Sequence, residues 1–461
     1  MTRLALQGLR AGRGAAARGG APARLASAAS LLVLLAASLT PAAARAAGDS
    51  EPPPPSLEER IRLAPAIEDS EPHPEPELEL AREDVWLRTP FGEGLLTDPE
   101  VWASARRAHW DVAENAAARL RLAYNRVDRI RAGLGFEVQD PKSLSPRFGT
   151  RFEYATDRRR FLYGIQLEQP LAPPGRVALG VSAVRRTDHS ELQQVDDVEN
   201  SLALLFGRVD YRDYFEREGL GAYLSWRVPD FSTIGVHWRA DDYRSLRGWL
   251  NTVSWMNRDH ALRDNPEIDD GRAVTLALRL ERLAHRTHRT RAGVYHWVES
   301  EWAGQGLGGD FTYTRLLADV RSVVRLTPVS TVALRVVGGH TPRGSLPRQK
   351  QFTLGGVDGL RAQPFARFRG DQLALVQAEY QLEVGRIASG GWQGAVQLIA
   401  FLDAGRAWTA PQRWDIGRRR IQADAGFGIA ASEDRMRVYF ARDLQREDGE
   451  WLVSLRLQRP F

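Results

Sequence analysis

The octapeptide VTLALRLE, Val274 to Glu281, alternates without a break: Val274, Leu276, Leu278 and Leu280 fall on one side, Thr275, Ala277, Arg279 and Glu281 on the other. A side-chain period of two belongs to a β-strand, whose successive residues point to opposite faces. The pattern returns where Ala374, Val376, Ala378, Tyr380, Leu382 and Val384 interleave with Leu375, Gln377, Glu379, Gln381 and Glu383. It recurs over Val396 to Ala404, Val332 to Val336 and Trp451 to Phe461.

Fifteen segments carry this signature: 126–138, 147–156, 159–169, 175–186, 218–228, 232–243, 272–283, 290–301, 310–325, 329–340, 371–385, 393–408, 421–431, 434–444 and 450–461. A soluble sandwich also alternates, so length and charge decide. The segments approach the roughly ten residues that cross a bilayer at a tilt near 45°, and their polar faces are charged along most of their length. Aromatic residues gather near segment ends, as with Tyr211, Tyr214, Phe215, Tyr223 and Trp226, or Trp238, Tyr243, Trp249 and Trp255, which suits interfacial girdles. Beyond residue 46 no apolar run reaches the ~18 residues of a spanning helix, and a closed barrel is the other structure that satisfies every backbone group in lipid. The expected fold is therefore all-β, a closed antiparallel transmembrane β-barrel over residues 121–461. Its aliphatic face meets lipid, and its Gln, Glu and Arg face lines a wet lumen. Because such barrels have an even number of strands, sixteen are expected, one more than the segments found.

The ends of the chain set its compartment. Residues 1–46 hold six arginines and no acid, an apolar core LASAASLLVLLAASL (Leu25 to Leu39) and small residues through Ala46, the pattern of an export signal. Removing those arginines takes the formal charge from +5 to −1, so a nucleic-acid partner loses its electrostatic basis. The chain has no cysteine, which excludes disulfides and cysteine-type zinc sites. Residues 47–97 are acidic and proline-rich, with eight prolines and ten acids between Asp49 and Leu80, and are expected to be disordered. Asp98 before Pro99 and the alanine-rich run that follows predict a short helix over 98–120.

Between two of the segments lies LGGVDGLRAQPFARFRG, Leu354 to Gly370. Leu354-Gly355-Gly356, then Leu360-Arg361, then Glu379-Tyr380, Phe401-Leu402-Asp403-Ala404-Gly405, Gly426-Phe427-Gly428 and VYFARDL (Val438 to Leu444) follow in order. This series, with YNRVDRIRAGLGFEV (Tyr124 to Val138) before it, resembles the BamA/TamA-type outer-membrane barrels of the bacterial surface antigen family. The resemblance covers most of 120–461 and implies that the 354–370 loop folds back into the lumen. Phe401 and Asp403 share the lumen face by alternation, so Arg361 is expected to pair with Asp403 and stack on Phe401, locking the loop. Gly355, Gly356 and Gly359 permit its tight reversal. Arg367 and Arg369 are expected to be ordinary lumen or surface charges. Trp451, Val453, Leu455, Leu457 and terminal Phe461 resemble the signal by which such barrels are recognised for insertion. The tip departs from the family at Ala362-Gln363, where glycine and an aromatic are usual.

The family's assembly members carry periplasmic polypeptide-transport-associated modules. The 74 residues from Ala47 to Leu120 leave no room for one, so a barrel without them is expected. His285 and His288, three apart, fall on opposite faces of a strand and do not suggest a metal site. Gly304 to Gly309 suits a hairpin loop, and DVENSLALLFG (Asp197 to Gly207) a loop helix. Ser300, Ser254 and His260 have nothing to bring them together as a hydrolase. No catalytic residue, metal or cofactor is expected. The implied partners are outer-membrane lipid, the barrel assembly machinery during insertion, and a polypeptide or lipid substrate; the alternative is a passive pore or structural surface barrel.

Overall fold

The computed structural model describes residues 109–113, 116–138, 144–172, 177–195, 197–228, 232–249, 262–282, 293–389, 392–410, 421–431, 436–446 and 449–457. The export signal expected over 1–46 and the acidic segment over 47–97 lie outside them. The strands are β1 His109–Ala113, β2 Ala116–Asn125, β3 Arg129–Val138, β4 Arg147–Ala155, β5 Arg160–Ala172, β6 Val177–His189, β7 Tyr214–Arg227, β8 Thr233–Ser245, β9 Gly271–Arg282 and β10 Gly293–Ala303. They continue as β11 Tyr313–Thr327, β12 Ser330–Gly344, β13 Phe352–Leu354, β14 Phe368–Gly370, β15 Gln372–Ser389, β16 Trp392–Trp408, β17 Gln422–Ala431, β18 Met436–Asp443 and β19 Leu452–Arg456.

Each strand of the large sheet pairs antiparallel with the next. β12 pairs directly with β15, and the excluded β13 and β14 form their own hairpin. Besides the short β1, the large sheet contains sixteen strands.

The strand missing from the sequence pattern is β2, and it corrects the helix expected over 98–120. The described part of that stretch, His109–Ala113 and Ala116–Asn125, is strand. Local alanine content favours a helix, but Leu120 and Leu122 face outward while Arg121 and Ala123 are buried. Pairing along its length with β3, from Ala116↔Val138 to Asn125↔Arg129, outweighs the local propensity.

The sheet is inside out by the standard of a water-soluble protein. On β9, Leu276, Leu278 and Leu280 are exposed while Arg279 and Glu281 are buried; on β15, Tyr380 and Val384 are exposed while Gln377 and Glu379 are buried. The largest fully buried side chains include Arg126, Arg315, Arg335, Arg437 and Arg456. Such a charged interior stands only where cation meets anion. Arg121 reaches Glu153 at 2.8 Å, Arg217 reaches Asp188 at 2.7 Å, and Arg335 reaches Asp319 at 2.8 Å. Outside, aromatic rings stack across neighbouring strands, with Phe152 5.1 Å from Phe161 and Phe427 5.0 Å from Phe440. An aliphatic exterior of this extent is stable in lipid, not in water.

At one end of the sheet the connections knit together. Arg126, in the β2–β3 turn, donates to the Arg212 carbonyl at 2.6 Å and the Arg263 carbonyl at 3.0 Å. Asp213 accepts from three arginines on three different connections: Arg126 at 3.2 Å, Arg263 at 2.5 Å and Arg369 at 3.0 Å. DVENSLALLFG forms the expected helix, α1 (Asp197–Gly207), with Asp197 and Glu199 in its first turn where the helix dipole favours acids. Gln305–Leu307 is a 3₁₀ turn ending on Gly308 at φ 89°.

Two adjacent residues on opposite faces test the inversion. Leu278→Arg should cost about 2–4 kcal/mol in urea unfolding from lipid vesicles, as for a cation placed mid-bilayer, although Arg279 beside it is native. An unchanged unfolding midpoint would contradict the outward assignment of Leu278.

Candidate functional site

The loop joining β12 to β15 descends into the charged interior. Its root is the β13–β14 hairpin, with Phe352 opposite Gly370 and Leu354 opposite Phe368. Past Leu354 the chain reverses at Gly355 (φ 120°) and Gly356 (φ 88°), in the region that L side chains avoid. A Cβ on Gly355 would sit 2.4 Å from the Pro364 carbonyl oxygen, so glycine is required there. The Gly356 amide donates to Leu360 O (3.1 Å) and Gln363 O (3.0 Å), and the Gly359 amide to Gly356 O at 3.0 Å. Below this turn Leu360, Leu354 and Phe352 pack with Leu373 and Leu375 of β15 as an apolar plug.

From that plug Arg361 extends between β15, β16 and β18. Its Nη1 donates to Glu379 Oε1 at 2.6 Å, and its Nη2 donates to Asp403 Oδ1 at 3.0 Å. Its Nε lies 2.9 Å from Asp403 Oδ2. The guanidinium carbon stands 4.0 Å from the Phe401 ring centroid and 4.6 Å from that of Tyr439. Those rings meet edge to face at 5.5 Å. Burial opposes the charge on Arg361, but Asp403 and Glu379 more than offset it, and its pKa is raised.

Two glycines make room for the rings. A Cβ on Gly426 would come 2.7 Å from Phe401 Cζ, and one on Gly428 2.8 Å from Tyr439 Cδ1. The Gly426-Phe427-Gly428 run is therefore a floor beneath the two rings, shaped for aromatic side chains. Around the arginine the network closes: Tyr439 donates to Glu379 Oε1 at 3.1 Å, and Arg437 Nη1 donates to Glu379 Oε2 at 3.2 Å.

Arg361, Phe401 and Asp403 are thus brought together, with Gly355, Gly356 and Gly359 in the turn above. Glu379, Tyr439 and Arg437 complete the cluster and were not among the expected site residues. Parity places Glu379 on the same face as Gln377, and register sets it opposite Phe401, so its place was recoverable once the strands were aligned. Ala362 and Gln363 dock the tip by other means: the Ala362 amide donates to Asp424 Oδ2 at 2.8 Å, and Gln363 Nε2 to Asp443 Oδ2 at 3.0 Å. Arg369, expected as an ordinary charge, pairs with Asp213; Arg367 is exposed.

Trp451, Val453 and Leu455 face outward while Ser454 and Arg456 are buried; Leu457 is half-buried, and Phe461 lies outside the described residues. His285, His288, Ser254 and His260 also lie outside them. Higher in the interior Glu191, Glu299 and Glu301 converge, but their own cations hold them: Arg315 donates to Glu191 at 2.9 Å and Lys350 to Glu301 at 3.0 Å. Burial opposes the charge of Glu191, yet Arg315 and Lys350 hold its carboxyl well below the usual range.

A sheet with aliphatic residues outside, paired charges inside and a loop anchored on its inner wall defines a membrane-embedded β-protein. Residues 147–449 match the Omp85 superfamily domain, and the chain belongs to that superfamily. The match takes in the loop, Phe401–Gly405 and Val438–Leu444, which carry the BamA/TamA-type resemblance. Among solved structures the chain is similar to BamA from Haemophilus ducreyi lacking POTRA domains 1–3, at 12% identity over 75% of this chain and 70% of that one, with a TM-score of 0.51. It is also similar to CdiB from Acinetobacter baumannii (13% identity, 74% of this chain and 58% of that one, TM-score 0.40) and CdiB from Escherichia coli (11%, 75% and 62%, TM-score 0.42). The likeness to BamA is one of fold. No curated protein matches the chain in sequence.

Arg361→Ala and Asp403→Ala should each cost about 3–5 kcal/mol, because each leaves a buried charge uncompensated. Each should reduce the mobility shift between heated and unheated protein on gels, and the double variant should be no worse than either single. Strict additivity would exclude a direct pair.

Proposed function

We propose that the sheet closes in the outer membrane into a sixteen-stranded barrel, and that its seam, between β2 and β19, serves insertion or translocation of polypeptide at that membrane. Arg361, Asp403, Glu379 and Phe401 lock the loop in the lumen during this work. The observation that carries the proposal is the state of the seam. Most neighbouring strands are zipped over long registers, as β15 and β16 are from Gln372↔Trp408 to Ser389↔Trp392, and β18 holds β19 from Arg437↔Arg456 to Ala441↔Leu452. Among the described residues no such register pairs β19 with β2; β19 pairs with β18, and β2 with β3 and β1. β1 accompanies β2 only from Ala116 to Arg119, so the rest of that edge has no strand alongside it among the described residues.

Edge strands carry unpaired backbone groups that template an added strand, and in lipid those groups must find partners. A weak seam suits a protein that receives extended chain laterally. A passive pore needs an open lumen, and the apolar plug of Phe352, Leu354 and Leu360 against Leu373 and Leu375 weighs against it.

The test uses vesicles that contain the purified protein and an unfolded outer-membrane polypeptide whose folding is followed by gel mobility. Folding should be faster than in empty vesicles. Because the chain lacks cysteine, Leu122→Cys and Leu455→Cys can be joined across the seam by a short bismaleimide, and the joined protein should lose the acceleration. Failure to join would count against closure. An unaltered rate after joining would overturn the seam's role, and ion conductance without acceleration would favour a pore.

A further inference from the structure

α1 belongs to the connection between β6 and β7, yet it lies against β2 at the far end of the strand order. Ser201 Oγ accepts the main-chain N–H of Tyr124 on β2 at 2.8 Å. Asp197 Oδ2 anchors the same turn to Arg131 of β3 at 2.5 Å. Two residues earlier than Ser201, Glu199 pairs with Nε of Arg456, the last residue of β19, at 2.6 Å. Glu199 and Arg456 are both buried. A single helical turn therefore engages both strands that border the seam: Ser201 holds a main-chain N–H of β2 where a neighbouring strand would offer a carbonyl, and Glu199 holds the Arg456 side chain of β19.

The helix is also tied to the lumen loop. Asp358, three residues before Arg361, accepts the amides of Gln194 at 2.8 Å and Val195 at 3.1 Å, which lead into α1. Its other oxygen accepts from Arg456 Nη1 at 2.8 Å, and the Val357 carbonyl accepts from the same nitrogen at 3.3 Å. Arg335 holds the Asp358 carbonyl at 3.1 Å. One carboxylate thus joins the loop, the approach to α1 and the final strand.

We propose that α1 is a displaceable wedge seated in the seam in place of strand pairing, and that Asp358 makes its seating depend on the docked loop. The proposal rests on the closed-barrel reading above. A few side-chain contacts hold the wedge where a zipped pair of strands would form a ladder. An extended segment can thus replace α1 by supplying oxygen acceptors to the Tyr124 N–H and to the Arg456 guanidinium. Undocking the loop removes the Asp358 contacts from Arg456 and from the 194–195 amides at once, which frees the helix.

Amide hydrogen exchange in lipid nanodiscs, with Ser201→Ala, Glu199→Gln and Asp358→Asn, tests this. Ser201→Ala should speed exchange at Tyr124 at least ~10-fold, the effect of a lost local closing interaction, and leave the β15–β16 amides unchanged. Glu199→Gln, which removes the ion pair with Arg456 at the end of β19, should do the same at Arg456 and the adjacent Leu457. Asp358→Asn should speed exchange at all three positions and at Gln194 and Val195; should it not fold, the other two variants decide. Unchanged exchange at Tyr124 and Leu457 in the folded variants, or an equal rise across all strands, would overturn the wedge. Spin labels on Leu122→Cys and Leu455→Cys in the otherwise native chain separate the two claims. A distance too long for neighbouring strands would defeat closure itself. A short distance with no effect of the variants would defeat only the wedge.

Discussion

Buried charge must be neutralised, and the architecture follows from that constraint. A strand that turns Leu276, Leu278 and Leu280 outward necessarily turns Arg279 and Glu281 inward. Each inward cation then needs an anion on a neighbouring strand or on a segment entering the interior. Arg279 finds Glu299 on the next strand, and Arg335 finds Asp319. Where the wall supplies excess carboxylates, as with Glu379 and Asp403, a loop brings the missing guanidinium. The Arg361 cluster extends the rule that governs the whole charged interior, and the aromatic rings beneath it add attraction that water would not provide.

Much of this was legible in the chain. Period-two patterning located fifteen of the sixteen strands, and in segments such as Leu276–Leu280 and Leu398–Leu402 the outward face, because side-chain alternation is enforced by the backbone and needs no tertiary information. Phe401 and Asp403 were legible for the same reason, whereas Arg361 was legible through the resemblance to BamA/TamA-type barrels, which implies that its loop folds inward. β2 was hidden because Ala116, Ala117 and Ala118 are small on both faces and leave only Leu120, Arg121 and Leu122 to carry the alternation. The contributions of Tyr439 and Arg437 were hidden differently. They depend on β16 and β18 both flanking β17, a relation of register that no single segment reveals. Asp358 and Arg456, far apart in sequence, meet only because the loop descends to the level of the last strand.

Loop, helix and the strands β2 and β19 form one connected set. The Leu360 plug sets the depth of the loop, Arg361 fixes its azimuth on the wall, and Asp358 extends it toward Arg456. Glycine and aromatic residues divide the labour: Gly355 and Gly356 shape the descending turn, while Gly426 and Gly428 hollow the wall that receives it. Substituting either pair acts on the same contact from opposite sides.

Asp213 has a consequence for how such a sequence can drift. It gathers arginines from three connections that are distant along the chain, so the three cannot diversify separately at their bases. A Cβ on Gly304 or Gly306 would meet nothing within 4 Å, and exchanges there disturb no neighbour. Variation over evolutionary time is thereby steered to protruding tips, while the ground they stand on stays common property of all three segments.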